Sequence, residues 1–202
     1  MREKEQTAAG EDSELVLLCK KGSLEAFEEL VKRHQKRMLN IAFRMVGNYE
    51  DACEVVQDAF VSAYRGIREF KGKAMFSTWL YAIVINLSRN RIKQIKTRSI
   101  YEQYSIDDPL PSDDSRINAE PKSSEPSILE RLERKDVQQK VQECINSMES
   151  GFREVIILRD IQGFSYDEIG DILKIPDGTV KSRVFRARES LKGCLKKALG
   201  EL

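Results

Sequence analysis

Apolar side chains recur at every third or fourth position along most of this chain, and strict alternation of apolar and polar residues is hard to find. A period of three to four residues places one apolar stripe along a helix, whereas strands alternate with a period of two. Between Ser23 and Gly47, for example, such a stripe runs from Phe27 to Met45. The pattern predicts an all-α protein. Helices are expected at about residues 14–21, 23–47, 49–68, 78–97, 127–148, 151–162, 165–173 and 177–197.

The predicted helices fall into two groups separated by a segment of different composition. Four of the five prolines lie between residues 109 and 126, in a stretch that is rich in serine and aspartate and poor in apolar residues. Such a composition is typical of an extended linker, because it cannot bury a core. The sequence therefore predicts two small helical domains, at 13–98 and 127–202, joined by a flexible acidic linker at 99–126. Residues 1–12 are predicted to be a disordered tail.

Charge is distributed in blocks, although the 202-residue chain carries a formal net charge of only +1. Residues 86–98 contain five basic and no acidic side chains, and residues 179–199 contain seven basic side chains and one acidic side chain. The segment 105–126 between them contains six acidic and two basic side chains. Two basic patches separated by an acidic segment indicate two places where the protein contacts a polyanion.

Several classes of site and of protein find little support in the sequence. The four cysteines are far apart and His34 is the only histidine, so no metal and no cofactor are expected, and the cysteines are interpreted as small apolar side chains rather than disulfide partners. A GxxxxGK[ST] motif and a paired-carboxylate signature are missing, which argues against an enzyme. No apolar run approaches the ~20 residues of a membrane span, so a cytoplasmic protein without direct membrane insertion is expected.

The segment from Ser165 to Leu195 predicts two short helices joined by a tight turn. Ser165 and Glu168 have the spacing of a capping box, and Pro176 ends the first helix before a second one begins near Asp177–Thr179. The second helix has an apolar stripe on one side and Lys, Arg, Ser and Phe on the other. This arrangement is typical of a helix-turn-helix that reads the DNA major groove, but a basic helix face can also be merely solvated.

Two further segments suit contacts with partners. The segment from Phe70 to Asn86 mixes aromatic and basic residues, which suits single-stranded DNA because bases stack on aromatic rings while Lys and Arg hold the backbone. Core packing of the aromatic residues explains the same composition, and for Trp79 the core is favoured. The helix at about 49–68 has an acidic face with apolar residues intermixed, and this face either binds a partner or is solvated.

Three segments together carry a resemblance to a known family. They are DACEVVQDAFVSAYRGIREFKG from Asp51, FSTWLYAIVINLSRNRIK from Phe76 and FREVIILRDIQGFSYDEIGDILKIPDGTVKSRVFRARESL from Phe152. In this order and separation they resemble the extracytoplasmic-function (ECF) RNA polymerase sigma factors, in the sigma-E-like branch of the sigma-70 family, over about residues 13–198. The resemblance implies that the first domain is sigma region 2, a helical bundle, and that the second is sigma region 4, with the helix-turn-helix.

The resemblance also implies three sets of contact residues. Binding to the clamp helices of the largest polymerase subunit is expected for Asp51, Glu54, Gln57, Asp58 and Val61. Contacts with the opened minus-10 strand, including a pocket for a flipped base in the loop 70–76, are expected for Phe70, Lys73, Phe76, Asn86, Arg89, Arg91 and Lys93. Contacts with the minus-35 duplex are expected for Thr179, Lys181, Ser182, Phe185, Arg186 and Arg188.

The resemblance implies a specificity subunit without catalytic activity of its own. It would bind the clamp helices and flap of core RNA polymerase, recognise promoter DNA, melt the minus-10 element and direct initiation of transcription, for an envelope or stress regulon. The expected regulator is an anti-sigma factor, bound to the membrane. On the residues alone, a helix-turn-helix regulator that acts without polymerase and an all-α adaptor stay open as alternatives. A relaxed linker spans less than the separation of the two promoter elements, so the free protein is expected to be compact or variable in domain spacing.

Overall fold

The computed structural model describes residues 12–104 and 128–200, and the side chains of residues 12–98 and 135–200. Within these residues it contains helices and no strand, which confirms the all-α fold class. The helices are α1 at residues 12–20, α2 (Leu24–Val46), α3 (Tyr49–Gly66), α4 (Phe76–Tyr104), α5 (Ile128–Ser147), α6 (Ser150–Ile156), α7 (Tyr166–Leu173) and α8 (Asp177–Leu199). A 3₁₀ turn, Ile67–Glu69, follows α3, and a π-helical turn, Ile157–Ile161, follows α6.

Helix α4 extends beyond its predicted limits at both ends. It begins at Phe76, inside the expected loop, because the Phe76 ring is buried and packs at 5.8 Å from the Trp79 ring. It continues to Tyr104, past the expected domain end at residue 98, through a sequence that contains neither glycine nor proline to stop it. The rest of the expected linker, from residue 105 on, and residues 1–11 of the expected tail lie outside the described residues.

The N-terminal half is built around α2, α3 and α4, which pack against one another. The side chain of Ser23 caps α2 by accepting a hydrogen bond from the Ala26 amide, and α2 ends at Gly47, whose φ of 84° is readily adopted only by glycine. Asn48 then caps α3 by accepting a hydrogen bond from the Asp51 amide at 3.0 Å. Because the chain changes direction at these helix ends, the apolar faces of the helices pack into one core. Its fully buried side chains include Leu30, Met38, Ile41, Ala59 and Leu80.

Asp12 belongs to α1 rather than to the expected tail. Its Oδ2 atom lies 2.7 Å from His34 Nε2, and His34 Nδ1 lies 3.3 Å from the Tyr81 hydroxyl oxygen. Asp12 and Tyr81 are buried, and this burial raises the pKa of Tyr81. Asp12 is therefore part of the helical domain, one residue before the predicted boundary, because these contacts hold α1 against α2 and α4.

The predicted helix-turn-helix is formed by α7 and α8. Ser165 caps α7 by accepting a hydrogen bond from the Glu168 amide, and Glu168 Oε2 accepts one from the Ser165 amide at 2.7 Å, which confirms the capping box. Lys174 ends α7 in the left-handed conformation, with φ 57°. Pro176 is extended, and α8 begins at the next residue, as the sequence predicts.

We expect the substitution Ser165→Ala to lower the free energy of unfolding by about 1 kcal/mol, because it removes the hydroxyl that accepts a hydrogen bond from the Glu168 amide at 3.2 Å and donates one to Glu168 Oε2 at 2.7 Å. Urea denaturation followed by circular dichroism measures the change. Ser62→Ala, on the exposed surface of α3, is the control and should change stability by less than about 0.5 kcal/mol. Equal effects of the two substitutions would contradict this role of the cap.

A disulfide bond joins Cys144 on α5 to Cys194 on α8, so the expectation that none of the cysteines pair was wrong. The sequence could not reveal this pair because 50 residues separate its members. The packing of α5 on α8 brings the Cα atoms of Cys144 and Cys194 to a distance of 5.7 Å, within the range of a disulfide. Cys19 and Cys53 are free thiols, and burial raises the pKa of Cys19. Among the described residues, no cluster of side chains is suited to hold a metal ion.

The two halves of the chain contact each other along a seam. On the N-terminal side the seam is formed by α2 and α4, and on the C-terminal side by α5, α6, α7 and the π-helical turn. A regular helix was expected at 151–162. The structure instead has a π-helical turn at 157–161, which widens the helix before Phe164. Phe164 is buried and packs at 5.4 Å from the Tyr81 ring of α4. The halves therefore share apolar packing as well as polar contacts.

Candidate functional site

Helix α8 exposes a polar face because its opposite face is buried. Val180, Val184 and Ala187 lie in the core and fix the rotation of the helix. Of the six residues expected to contact the minus-35 duplex, Thr179 is half-buried and the others are exposed: Lys181, Ser182, Phe185, Arg186 and Arg188. Phe185 is 69% exposed and is the most exposed large apolar side chain of the described residues. The face therefore combines cationic, hydroxyl and aromatic groups in the first turns of one helix.

Arg188 is held in an ion pair within the C-terminal half. Its Nε and Nη2 atoms lie 3.0 and 2.6 Å from the two carboxylate oxygens of Asp160. This bidentate pair raises the pKa of Arg188 and ties α8 to the π-helical turn. A phosphate contact through the Nε–Nη2 edge of Arg188 therefore requires Asp160 to leave that edge. Ser182, by contrast, only donates a hydrogen bond to the Thr179 carbonyl at 3.0 Å within the helix.

An aromatic cluster supports the loop between the 3₁₀ turn and α4. The Phe70 ring is half-buried and lies 5.0 Å from the Trp79 ring and 6.0 Å from the Phe76 ring. Phe76 itself is only 5% exposed, so it belongs to the core beneath the loop and not to the loop surface. Lys73 is exposed, and Lys20 donates a hydrogen bond to the Phe70 carbonyl at 2.5 Å. Trp79 is half-buried within this cluster.

The basic part of α4 is divided between solvent and ion pairs. Asn86 and Lys93 are exposed. Arg89 donates to Asn86 Oδ1 at 2.9 Å, and its Nε and Nη2 atoms each lie 2.6 Å from one carboxylate oxygen of Glu154, across the seam. Arg91 pairs with Asp51 and Glu54 of α3, with its Nε atom 2.7 Å from Asp51 Oδ1. The structure thus joins Asn86 to Arg89 but gives both arginines carboxylate partners, which raise their pKa.

The outer face of α3 remains open to solvent. Its buried face consists of Ala52, Val55, Val56, Ala59 and Ala63. On the opposite side Gln57, Asp58 and Val61 are exposed, and Val61 is 42% exposed. Asp51 and Glu54 lie on the edge next to α4, where they hold Arg91. The five residues expected to bind polymerase therefore form two groups: Gln57, Asp58 and Val61 on the outer face, and Asp51 and Glu54 in ion pairs with Arg91 of α4.

Glu154 is a functional candidate that the sequence interpretation missed. It is 1% exposed and lies in the apolar run Phe152–Leu158 next to Arg153. Two opposite charges inside an apolar run are a detectable signal, because buried charges are almost always paired. The ion-pair partner of Glu154, however, is Arg89, 65 residues away in sequence, and Arg153 donates to the distant Met45 carbonyl as well as to nearby ones.

The sequence and the fold match known proteins over nearly the whole chain. The family described as sigma-70 region 2 matches residues 30–98, and sigma-70 region 4 matches residues 138–191. The chain is 36% identical to the ECF RNA polymerase sigma-E factor of Escherichia coli K12, covering 89% of this chain and 92% of that protein. It is 31% identical to the RNA polymerase sigma-H factor of Pseudomonas aeruginosa, covering 95% and 97%.

Two solved structures have a similar fold. CnrH, in complex with the cytosolic domain of CnrY, has a TM-score of 0.67 and 26% identity, and the match covers 93% of this chain and 98% of that one. The sigma factor RpoE of Bartonella quintana, in complex with the anti-sigma factor NepR, has a TM-score of 0.61 and 25% identity, and the match covers 86% and 98%. Both support the two-part helical architecture.

A two-part all-α protein with a helix-turn-helix in one half and a basic helix beside an aromatic loop in the other is a DNA-binding protein of transcription initiation. The chain belongs to the extracytoplasmic-function sigma factors of the sigma-70 family. Its function is promoter-specific initiation of transcription with RNA polymerase. Among the described residues, none of the helices is long and apolar enough to cross a bilayer.

Proposed function

We propose that this chain is a cytoplasmic specificity subunit, without catalytic activity of its own, that directs core RNA polymerase to the promoters of an envelope or stress regulon. The observation that carries the proposal is the open face of α8, where Lys181, Phe185 and Arg186 stand exposed in the first turns of the second helix of a helix-turn-helix. This is the part of such a motif that reaches base edges in the major groove.

The minus-35 contact is assigned to the first turns of α8. The guanidinium fork of Arg186 matches the two acceptors on the major-groove edge of guanine, and Phe185 fits the methyl group of thymine. Lys181 and Arg188 contact phosphates, which position the helix but discriminate little between sequences. Thr179 and Ser182 add hydroxyl groups at the same end of the helix.

The minus-10 contact is assigned to the loop 70–76 and the exposed side of α4. Phe70 and Lys73 form the surface that meets an unstacked base, while Phe76 supports Phe70 from the core. Asn86 reads the opened strand, and Arg89, Arg91 and Lys93 hold its backbone. Removing a base from the stack costs a few kcal/mol, which a preformed aromatic surface offsets in part.

The polymerase contact is assigned to the outer face of α3. Asp58, Gln57 and Val61 combine a charge, an amide and an exposed apolar side chain, which suits a protein interface. Asp51 and Glu54 extend this face toward α4. The partners proposed for this face are the clamp helices of the largest polymerase subunit. Region 4 is proposed to contact the flap.

Regulation by an anti-sigma factor is also proposed. Both similar structures contain a second protein: the cytosolic domain of CnrY bound to CnrH, and the anti-sigma factor NepR bound to RpoE. A membrane protein that carries such a cytosolic domain would hold this chain away from polymerase until an envelope signal releases it.

Run-off transcription with core polymerase and a promoter library tests the proposal. We expect initiation at specific start sites only when the chain is added. The double substitution Asp58→Ala with Val61→Ser should weaken the affinity for core about tenfold, because both exposed side chains lie at the centre of the α3 face. The matched control is Asp136→Ala with Val137→Ser on the exposed surface of α5, where Val137 is 44% exposed.

Two results would contradict the proposal. Initiation by core that is no better with the chain than without it, at every start site, would exclude a sigma function. Tight and specific binding of a duplex by the free chain without any effect on core would instead indicate a stand-alone regulator.

A further inference from the structure

Arg91 of α4 forms an ion-paired cluster with two carboxylates of α3. Its Nε atom donates to Asp51 Oδ1 at 2.7 Å, and its Nη2 atom contacts the same oxygen and lies 2.8 Å from Glu54 Oε2. The side chains of Arg91 and Asp51 are 32% and 19% exposed, whereas that of Glu54 is 62% exposed. One guanidinium therefore bridges an enclosed carboxylate and an open one.

Arg91 lies on a different side of α4 from the residues proposed to meet the opened strand. An α-helix turns by about 100° per residue, so Lys93 lies within about 20° of Asn86 around the helix axis, whereas Arg91 lies about 140° from Asn86. Asn86 and Lys93 are exposed, while Arg91 is half-buried in its contact with α3. Arg91 therefore faces the helix that is proposed to bind polymerase.

The carboxylates of α3 need a cation close to them. Asp51, Glu54 and Asp58 follow one another at spacings of three and four residues, which makes them neighbours on the helix surface. Like charges at these spacings destabilise a helix. The hydrogen bond to Asp51 raises the pKa of Arg91, and the charges of Asp51, Glu54 and Asp58 add to this effect. Arg91 thus offsets the repulsion among all three carboxylates.

The contact with Arg91 also orders Glu54 before any partner arrives. A long side chain that is free to rotate loses conformational entropy when an interface immobilises it, and a contact within the same protein removes this cost in advance. An ionised carboxylate has about four acceptor positions, so Glu54 can hold Arg91 and still bind a cation of a partner. Arg91 therefore shapes the edge of the α3 face without closing it.

We propose that Arg91 is a positioning residue for the polymerase contact, which holds Asp51 and Glu54 in the arrangement that the clamp helices bind. The inference rests on the proposed function, because it takes these two carboxylates as polymerase contacts. It refines that function by separating Arg91 from the residues of α4 that hold the opened strand. Helix α4 then serves two partners from two sides, DNA directly and polymerase through Arg91.

The test measures two affinities with the full chain. Fluorescence anisotropy of the chain, labelled at its N-terminus, gives the affinity for core polymerase. The affinity of the holoenzyme for a single-stranded minus-10 oligonucleotide is measured with core saturated by the chain. We expect Arg91→Ala to weaken binding to core about fivefold, because ordered interface side chains are set free, and to leave the oligonucleotide affinity unchanged. Lys93→Ala should show the opposite pattern.

A double-mutant cycle shows whether Arg91 acts through Glu54. Glu54→Gln removes the charge at an exposed position and keeps the size of the side chain. In this background Arg91→Ala should weaken binding to core only about twofold, since residues that act together are not additive. A merely structural effect of Arg91 would be equal in both backgrounds. Arg91→Lys should recover part of the loss, because an ammonium group lacks the planar fork that bridges two carboxylates.

The matched control is Lys140→Ala on α5. Lys140 is also paired with a carboxylate, that of Asp136 at 2.7 Å, and its side chain is 35% exposed, close to the value for Arg91. Its loss removes a paired cation away from α3 and should change neither affinity. Circular dichroism verifies that each variant is folded.

The outcomes separate the two proposals. Unchanged core affinity in Arg91→Ala, or equal losses in the two backgrounds of the cycle, would overturn the positioning role. A loss of oligonucleotide affinity as large as that of Lys93→Ala would make Arg91 a strand contact instead. Tighter binding of Arg91→Ala to core would make Arg91 a competitor of polymerase for the carboxylates. A wild-type chain that does not bind core would reject the proposed function itself, and this result needs no variant.

Discussion

Replacing Arg186 with alanine should relax the choice of minus-35 sequence. A bidentate contact to guanine contributes about 1–3 kcal/mol of discrimination, so the preference for guanine at one position should fall by about tenfold to a hundredfold. The side chain is exposed in the third turn of α8, so its removal should leave the fold intact. Binding of the holoenzyme to a library of minus-35 duplexes measures the preference at each position.

The matched control for this substitution is Lys196→Ala. Lys196 is an exposed cation in the last turn of the same helix, so its loss changes the charge of α8 equally but lies away from the base edges. It should weaken all sequences alike and reduce the salt dependence slightly. If Arg186→Ala also weakened all sequences to the same extent, the base contact would be excluded and a phosphate contact indicated.

Replacing Arg153 with alanine should lower the free energy of unfolding by about 3 kcal/mol. Arg153 is 5% exposed and donates to the carbonyl groups of Met45 and Met148 at 2.6 and 3.3 Å, and to that of Asn146. These carbonyls lie at or just past the ends of α2 and α5 and would lose their donor. Burial lowers the pKa of Arg153, because the charged form is poorly solvated at this position.

Urea denaturation followed by circular dichroism measures this effect. The control is Arg65→Ala in the last turn of α3, where the side chain is exposed and the expected change is below about 0.5 kcal/mol. Arg153→Lys should restore only part of the stability, since one ammonium group cannot reproduce the planar fork of donors. Full stability in Arg153→Ala would mean that water or neighbouring groups satisfy the carbonyls equally well.

Local features of the fold could be predicted from the sequence because their causes lie within a few residues. Ser165 and Glu168 stand three residues apart, and their side chains satisfy each other's amides in the structure. Pro176 ends one helix and precedes the next for the same local reason. The apolar spacing around Val180 and Val184 fixed which side of α8 would be buried.

Contacts between distant segments could not be predicted, because neither periodicity nor capping encodes them. Cys144 and Cys194 meet only after α5 has packed on α8. Arg89 was assigned to DNA from the charge of its segment, but its partner Glu154 lies 65 residues further along the chain. Phe76 was expected on the surface of the loop, but its ring is buried in the core beneath it. Composition alone cannot distinguish these two positions of an aromatic ring.

The disulfide between α5 and α8 lies wholly within the C-terminal half. It does not cross the seam, so separation of the halves breaks no covalent bond. It does couple α5, which contributes Gln142 to the seam, to the C-terminal part of α8, the helix whose first turns face the promoter. The DNA-reading helix is therefore covalently tied to the helix that contributes Gln142 to the seam, so that a movement of α5 relative to the N-terminal half also moves α8.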